Sequence, residues 1–279
     1  MLILACGPLG NVADTSMRLR EALERVPFIA AEDSRKLSRL TSDLGVRYTG
    51  KVISYFEGNE LQRIDQLTEI LLTGADLLLI TDAGAPGVSD PGYRLIRAAL
   101  DNHIPIQVLP GPSAVVTALL LSGFSTDRFC FEGFSPRTSG TRQSWYKKLA
   151  TEERTIIFFE APHRLAESLV DAMSNVGGER RIAICREMTK TYEETVRGTI
   201  AELVEWSSQR EILGEITVVL EGFDVSSQVH SNSELVERVR AREEAGEQRK
   251  EAIAAIAKEL NLPKRVVFDA LVGNKAVER

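Results

Sequence analysis

Cysteine is scarce in this sequence, and its three residues, Cys6, Cys130 and Cys185, lie far apart with no CxxC pair. Each falls in or beside an apolar run, which reads as a buried free thiol, not as part of a disulfide framework. Histidine is equally scarce: His103, His163 and His230 show no metal-ligand spacing, and no HExxH occurs. Metal catalysis is therefore not expected. There is no GxGxxG after the first apolar run, no GxxxxGK(S/T) and no GxSxG, so neither a dinucleotide fingerprint nor a P-loop is available. No apolar run approaches the roughly 18–20 residues that span a bilayer. The opening residues, MLILACGPLG, lack a basic region and a small-residue cleavage pattern, and read as a first β-strand. A cytoplasmic protein without membrane or disulfides is expected. A strong positive charge is missing too. The net charge of −6 argues against a generic nucleic-acid coat, although it leaves room for an enzyme with a local basic patch.

What is present is the balance of a folded globular chain, with 43% hydrophobic and 27% charged residues over 279 positions, enough for about two domains. Short apolar runs at Leu2–Ala5, Phe28–Ala31, Val52–Tyr55, Leu77–Thr81 and Ile106–Leu109 alternate with helical stretches at Thr15–Arg25, Leu61–Leu72 and Tyr93–Asn102. That alternation predicts a largely parallel sheet covered on both faces, over residues 1–112. After a helix at Ser113–Leu121 the pattern changes. Strands are expected at Phe129–Phe131, Ile156–Phe159, Ile182–Cys185, Glu194–Arg197 and Ile216–Leu220, with helices at Arg164–Asn175 and Ile200–Trp206. A second, mixed-sheet α/β domain over 113–223 is the expectation. Residues 224–279 read as a polar linker followed by helices at Glu234–Glu244, Gln248–Leu260 and Lys264–Val272. The turn at Asn261-Leu262-Pro263 makes the last two either a helix-turn-helix unit or a helical cap.

Four strand ends carry unusual punctuation: Gly7-Pro8-Leu9-Gly10-Asn11, Glu32-Asp33-Ser34-Arg35, Thr81-Asp82-Ala83-Gly84-Ala85-Pro86 and Pro110-Gly111-Pro112-Ser113-Ala114. Glycine allows close backbone approach and proline stiffens a loop. One such loop could simply turn the chain; four together, at the carboxyl ends of strands, point to a small-molecule crevice. The second domain adds Glu160-Ala161-Pro162-His163-Arg164 and Arg186-Glu187-Met188-Thr189-Lys190 after two further strands. Their cations suit phosphates or a sugar hydroxyl, or equally an ion-pair network between domains. Ser113 could contact a ligand or cap its helix.

Taken in order with Ser89-Asp90-Pro91-Gly92-Tyr93 and Asp127–Phe134, these motifs resemble the tetrapyrrole-methylase-like class of S-adenosylmethionine-dependent methyltransferases. Within that class the resemblance, over about residues 2–222, is to the branch that acts on 16S ribosomal RNA as cytidine 2′-O-methyltransferases. It implies two α/β domains with the cofactor cleft between them, a small C-terminal helical extension, and a homodimer acting on 16S rRNA, within the 30S subunit. S-adenosylmethionine would touch Pro8, Asp82, Ala83, Gly84, Val88, Ser113 and Ala114, with Phe159, Leu213 and Gly214 closing over it. Arg35, Lys36, Arg39, Arg164 and Arg186 would face the RNA, joined by Lys264 and Arg265 of the tail; for Arg35, Lys36 and Arg39 a solvated helix face is the alternative. A base helps to activate a ribose hydroxyl, and the candidates are Lys190, Glu32, Asp33 and Glu187. Lys190 could be that base only if its pKa were depressed; beside carboxylates it would orient the hydroxyl or bind phosphate. Rival functions are a methyltransferase acting on a tetrapyrrole carbon and a non-catalytic RNA-binding ribosome-assembly protein.

Overall fold

A computed structural model of the chain describes residues 1–224, 232–260 and 264–275. They form two compact units, Met1–Phe223 and Asp224–Arg279.

The first unit contains two five-stranded sheets. Strands β1 (Leu2–Ala5), β2 (Phe28–Ala31), β3 (Lys51–Ser54), β4 (Leu77–Ile80) and β5 (Ile106–Leu109) make an all-parallel sheet in the order β3-β2-β4-β1-β5. Two of its three inner strands, β1 and β4, are buried along their whole length, as continuous apolar runs covered on both sides must be. Helices α1 (Met17–Arg25) and α2 (Ser34–Leu44) cover one face, with Leu19, Leu23 and Leu37 packed on Ile3, Ile29 and Leu78. Helices α3 (Glu60–Leu72) and α4 (Tyr93–Asp101) cover the other, through Leu67, Leu71 and Leu95 against Leu2, Leu77 and Leu79.

The second sheet is mixed. Strands β6 (Phe129–Phe134), β7 (Thr155–Glu160), β8 (Arg181–Arg186), β9 (Glu194–Thr199) and β10 (Ile216–Leu220) run in the order β6-β7-β10-β8-β9, with only the β6–β7 pair parallel. Helix α5 (Ala114–Ser122) is apolar nearly all round; Val115, Ala118 and Leu119 cover one sheet face at Ile157, Ala183, Cys185 and Val219. The other face carries α6 (Ser139–Leu149), α7 (Leu165–Val176) and α8 (Ile200–Ser208). Helix α6 is not anticipated from the sequence. Its segment, SGTRQSWYKKL, has no apolar stripe, and its inward residues are Arg142, Tyr146 and Leu149, the first two only 1% exposed. Their partners come from α7: Arg142 is ion-paired with Asp171 at 2.7 Å and donates to it from Nε at 2.8 Å, and the Tyr146 and Ser168 hydroxyls lie 2.9 Å apart.

The three cysteines are free; Cys6 and Cys185 are buried and Cys130 is half-buried. Among the described residues no helix is long and apolar enough to cross a membrane. The second unit packs α9 (Asn232–Glu244), α10 (Arg249–Glu259) and α11 (Lys264–Lys275) on a core of its own, in which Leu235, Val239, Ile256 and Val267 are almost fully buried. Of the expected linker, residues 225–231 lie outside the described residues, as does the expected turn at Asn261, Leu262 and Pro263.

Candidate active site

The carboxyl ends of the parallel strands each release a loop towards the second sheet. The loops after β1 and β4 are stitched together where the Gly7 N–H donates to the Gly84 carbonyl at 2.8 Å and the Gly84 N–H returns a bond at 3.1 Å. Gly84, at φ 64°, adopts a backbone conformation open to glycine at little cost. The loops after β2 and β4 are joined as tightly. The Asp82 N–H donates to the Glu32 carboxylate at 3.1 Å, and the Asp33 N–H donates to Asp82 at 3.2 Å. Lys36, one turn into α2, sets its ammonium 2.9 Å from the other Asp82 oxygen.

Between these loops and the second sheet lies a cavity of about 460 Å³. Its wall includes Asp82, Ala83, Gly84, Val88, Ser113 and Ala114 from the first half of the unit, and Phe159, Gly214 and Glu215 from the second. Phe159 is held edge-on by Phe131 and Phe134, at ring distances of 4.9 and 5.3 Å. Eight of the ten expected cofactor contacts therefore share one cavity. Pro8 instead lines a small adjoining recess with Glu32, Asp33 and Lys36, and its neighbour Leu9 takes its place on the main wall. Leu213 is 61% exposed and outside the wall. The Ser113 side chain makes no capping bond to α5, which leaves the hydroxyl on the cavity side of that choice.

A second cavity, of about 910 Å³, shares Glu32, Ser89, Asp90, Phe134 and Ala161 with the first. Its other residues include charges of both signs, Glu57 and Glu60 on one hand and Arg137 and Arg164 on the other, together with His163. Arg164 is anchored 3.3 Å from the fully buried Glu160 carboxylate, and its Nε is buried without a hydrogen-bond acceptor among the described residues.

The candidate bases occupy unlike settings. Asp33 is spent locally: it caps α2 by accepting the Arg35 N–H and grips the Arg35 guanidinium through both oxygens, which holds its pKa well below the usual carboxylate range. Burial pushes Glu32 up, against the opposing hydrogen bond from Asp82. Lys190 sits 2.9 Å from both Glu187 and Glu215. Partial burial favours its neutral form, but the bonds to the two carboxylates prevail and raise its pKa. Burial likewise works against the Glu187 anion, and is outweighed by the Glu215 N–H and the Lys190 ammonium, which lower it. This cluster is carried on strained backbone, with Glu187 at φ 50° and Thr189 at φ 65°. The Asn11 N–H donates to the Thr189 hydroxyl at 3.1 Å, tying the β1 loop to it.

The expected RNA-facing cations divide. Arg35 and Arg39 are largely exposed on α2, whereas Lys36 belongs to the cavity wall. Arg186 pairs with Glu194 at 3.1 Å and donates to the Leu213 carbonyl at 3.2 Å, so it braces the segment leading into β10. Lys264 and Arg265 are exposed in the second unit. Two wall residues, Asp90 and Glu215, are absent from the sequence-derived candidates. Glu215 stands next to the expected Gly214, and Asp90 lies within Ser89-Asp90-Pro91-Gly92-Tyr93, but nothing in their spacing marks either one. Among the described residues no group of three or more His, Cys, Asp or Glu side chains is arranged to hold a metal ion.

The family model for tetrapyrrole (corrin/porphyrin) methylases matches residues 1–204. The chain belongs to this family of methyltransferases. It is similar, at 44% identity over 92% of its length and 88% of the relative's, to ribosomal RNA small subunit methyltransferase I of Mycobacterium tuberculosis H37Rv. The protein of that name from Bacillus subtilis 168 is 37% identical over 97% of this chain and 93% of its own. Among solved structures, uroporphyrin-III C-methyltransferase from Thermus thermophilus, complexed with S-adenyl homocysteine, shares the fold. Its TM-score is 0.55 at 15% identity, covering 79% of this chain and 96% of that one.

Proposed function

We propose that the protein transfers a methyl group from S-adenosylmethionine to the ribose 2′-hydroxyl of a cytidine in the decoding region of 16S rRNA. It acts on the 30S subunit, in the cytoplasm, as a homodimer. The observation that carries this reading is the pair of cavities sharing one wall: a carboxylate- and apolar-lined chamber beside a larger one bearing Arg137, His163 and Arg164. The names of the curated relatives supply the RNA as substrate class.

The smaller chamber suits the donor chemically. Glu32, Asp82, Asp90 and Glu215 favour a ligand that carries a sulfonium and an ammonium, while Phe159, Met188 and Ile216 offer apolar surface to a purine. Asp82, Ala83, Gly84, Val88, Ser113, Ala114, Phe159 and Gly214 would hold it. Once bound, S-adenosylmethionine supplies a methyl group on a positively charged sulfur. The residues of the chain then have two tasks, to align the hydroxyl with that methyl group and to receive its proton. In the larger chamber Arg137 and Arg164 would take a phosphate flanking the target nucleotide, a contact that positions without reading sequence. Lys190 stays protonated and acts as an orienting cation.

Mass spectrometry of 16S rRNA fragments from cells with and without the gene tests the reading. One ribose-methylated cytidine present only with the gene is the expected result. Identical fragments, together with methylation of uroporphyrinogen by the purified protein, would replace it with the tetrapyrrole activity.

A further inference from the structure

We propose that Asp90 is the proton acceptor for the substrate hydroxyl, a role that rests on the methyl-transfer reading above. The argument starts from the shared wall. If the donor fills one chamber and the nucleotide the other, the reacting oxygen lies against the residues common to both: Glu32, Ser89, Asp90, Phe134 and Ala161. Phe134 and Ala161 carry no proton acceptor. Ser89 has a hydroxyl, no stronger a base than the substrate's own. The Glu32 carboxylate is committed to the Asp82 N–H. The other nearby carboxylates are paired with lysines, Asp82 with Lys36, and Glu187 and Glu215 with Lys190. Asp90 alone of this set has no hydrogen-bond or ion-pair partner among the described residues, so its lone pairs are free for an incoming proton.

The turn that carries it is fixed. Ser89 is held at φ 61°, the Gly87 N–H donates to the Pro91 carbonyl at 3.1 Å, and the Gly92 N–H donates to Glu60 at 3.1 Å. A Cβ on Gly92 would meet the Gly87 nitrogen at 3.0 Å, so the two ends of the turn are in close contact. A carboxylate on such a turn is positioned before substrate arrives, as a base needs to be.

Its proton affinity suits the task. Burial first, then the negative charges of Glu32, Asp82 and Glu215, hold the Asp90 pKa at about 7, with Lys36 opposing. Glu57, Glu60, Arg137, His163 and Arg164 face the same chamber. A base titrating near the working pH combines a populated anion with a useful pull on the proton. In the step itself the oxygen–carbon bond forms as the carbon–sulfur bond breaks, and that electron pair returns to sulfur as a neutral thioether. The hydroxyl proton passes to an Asp90 oxygen and is lost to water after the product leaves.

The test uses the full-length protein, S-adenosylmethionine and 30S subunits lacking the methyl group. Asp90→Asn is expected to lower the single-turnover rate about 10²–10⁴-fold, and to remove the fall in rate on the acid side of about pH 7. Donor affinity by calorimetry falls far less than the rate, because Glu32, Asp82 and Glu215 still face the donor, and Asp90→Glu recovers part of the rate. A second readout needs no activity. A carboxyl group with its folded pKa raised loses its stabilising contribution as pH rises through that value, and asparagine does not. The melting temperature of Asp90→Asn without donor should therefore gain on the wild type from about pH 5 to pH 8. A variant with the wild-type rate and acid limb, or one whose rate falls while the acid limb persists and the melting difference does not change with pH, overturns the role and leaves the proposed function standing. A wild-type protein that transfers no methyl group to 30S RNA overturns both.

Discussion

The Glu32 carboxylate accepts the backbone N–H of Asp82 at 3.1 Å, and the Asp82 carboxylate in turn accepts the backbone N–H of Asp33 at 3.2 Å. Two loops that follow different strands are thereby clasped by their own side chains, and Lys36 closes the group on Asp82. Asp82→Ala strips the acceptor from a part-buried N–H and leaves Lys36 unpaired beside Glu32. A loss of about 1–3 kcal/mol in denaturant unfolding is expected, with donor affinity falling at least as far. Asp82→Asn keeps an acceptor oxygen and should lose less of both. Equal losses for the two variants would show that charge, not the clasp, matters.

Lys190 is held by two carboxylates and by space. A Cβ added to Gly10 would overlap Cγ of Lys190, so that side chain passes directly over the β1 loop. The lowered pKa of Glu187 stabilises the fold above the unfolded carboxylate pKa and is lost as pH falls through its folded value. The raised pKa of Lys190 stabilises below the unfolded lysine value and is lost as pH climbs past its folded one. The ion pair therefore persists across neutral pH, and no limb of the rate profile near pH 7–9 should belong to Lys190. Lys190→Ala should abolish methylation with donor affinity nearly unchanged by calorimetry, and Lys190→Arg should keep part of the rate. Gly10→Ala should mimic the loss by displacing the ammonium. Parallel loss of donor binding in Lys190→Ala would make the residue structural.

Much of this molecule can be read from its residues. Strands β1, β2, β5 and β10 lie where their apolar runs end in glycine, proline or charge, and the Gly84 and Ser113 loops declare themselves by composition. Helix α6 does not, because two of the three residues it buries are Arg142 and Tyr146, whose partners lie about twenty to thirty positions away on α7. Asp90 is hidden for a related reason. Its character comes first from burial and then from charges on three other segments, Glu32, Asp82 and Glu215, all of which only the fold supplies. Pro8 and Leu213 show the converse: motif position brings each close to the cavity, and backbone direction decides that Leu9 and Gly214 form the wall.

The Arg142–Asp171 pair makes a prediction about stability alone. Arg142 is 1% exposed and Asp171 7%, with the guanidinium also donating from Nε at 2.8 Å. Removing one partner strands a buried charge, at a cost of about 3–5 kcal/mol. Asp171→Ala should show that loss in urea unfolding, with the rate per folded molecule unchanged because the pair lies outside both cavities. Glu167→Ala should do almost nothing: its carboxylate, 3.7 Å from Arg142, is 78% exposed.

Lys264 and Arg265 begin α11 in a unit with its own core, and Arg265 is 90% exposed, only loosely paired with Asp269 at 3.6 Å. An exposed cation that neutralises a phosphate releases a counterion, which adds roughly 0.7–0.9 to the slope of log affinity against log salt. The Lys264→Ala, Arg265→Ala double variant should therefore bind 30S RNA more weakly at low salt, with a slope shallower by about 1–2. Melting and donor affinity should not move, because neither residue belongs to the cavity or to either sheet. Filter binding from low to moderate salt measures the slope. A slope identical to the wild type would assign the C-terminal helices a structural role and confine RNA recognition to the chamber of Arg137 and Arg164 and to the exposed face of α2.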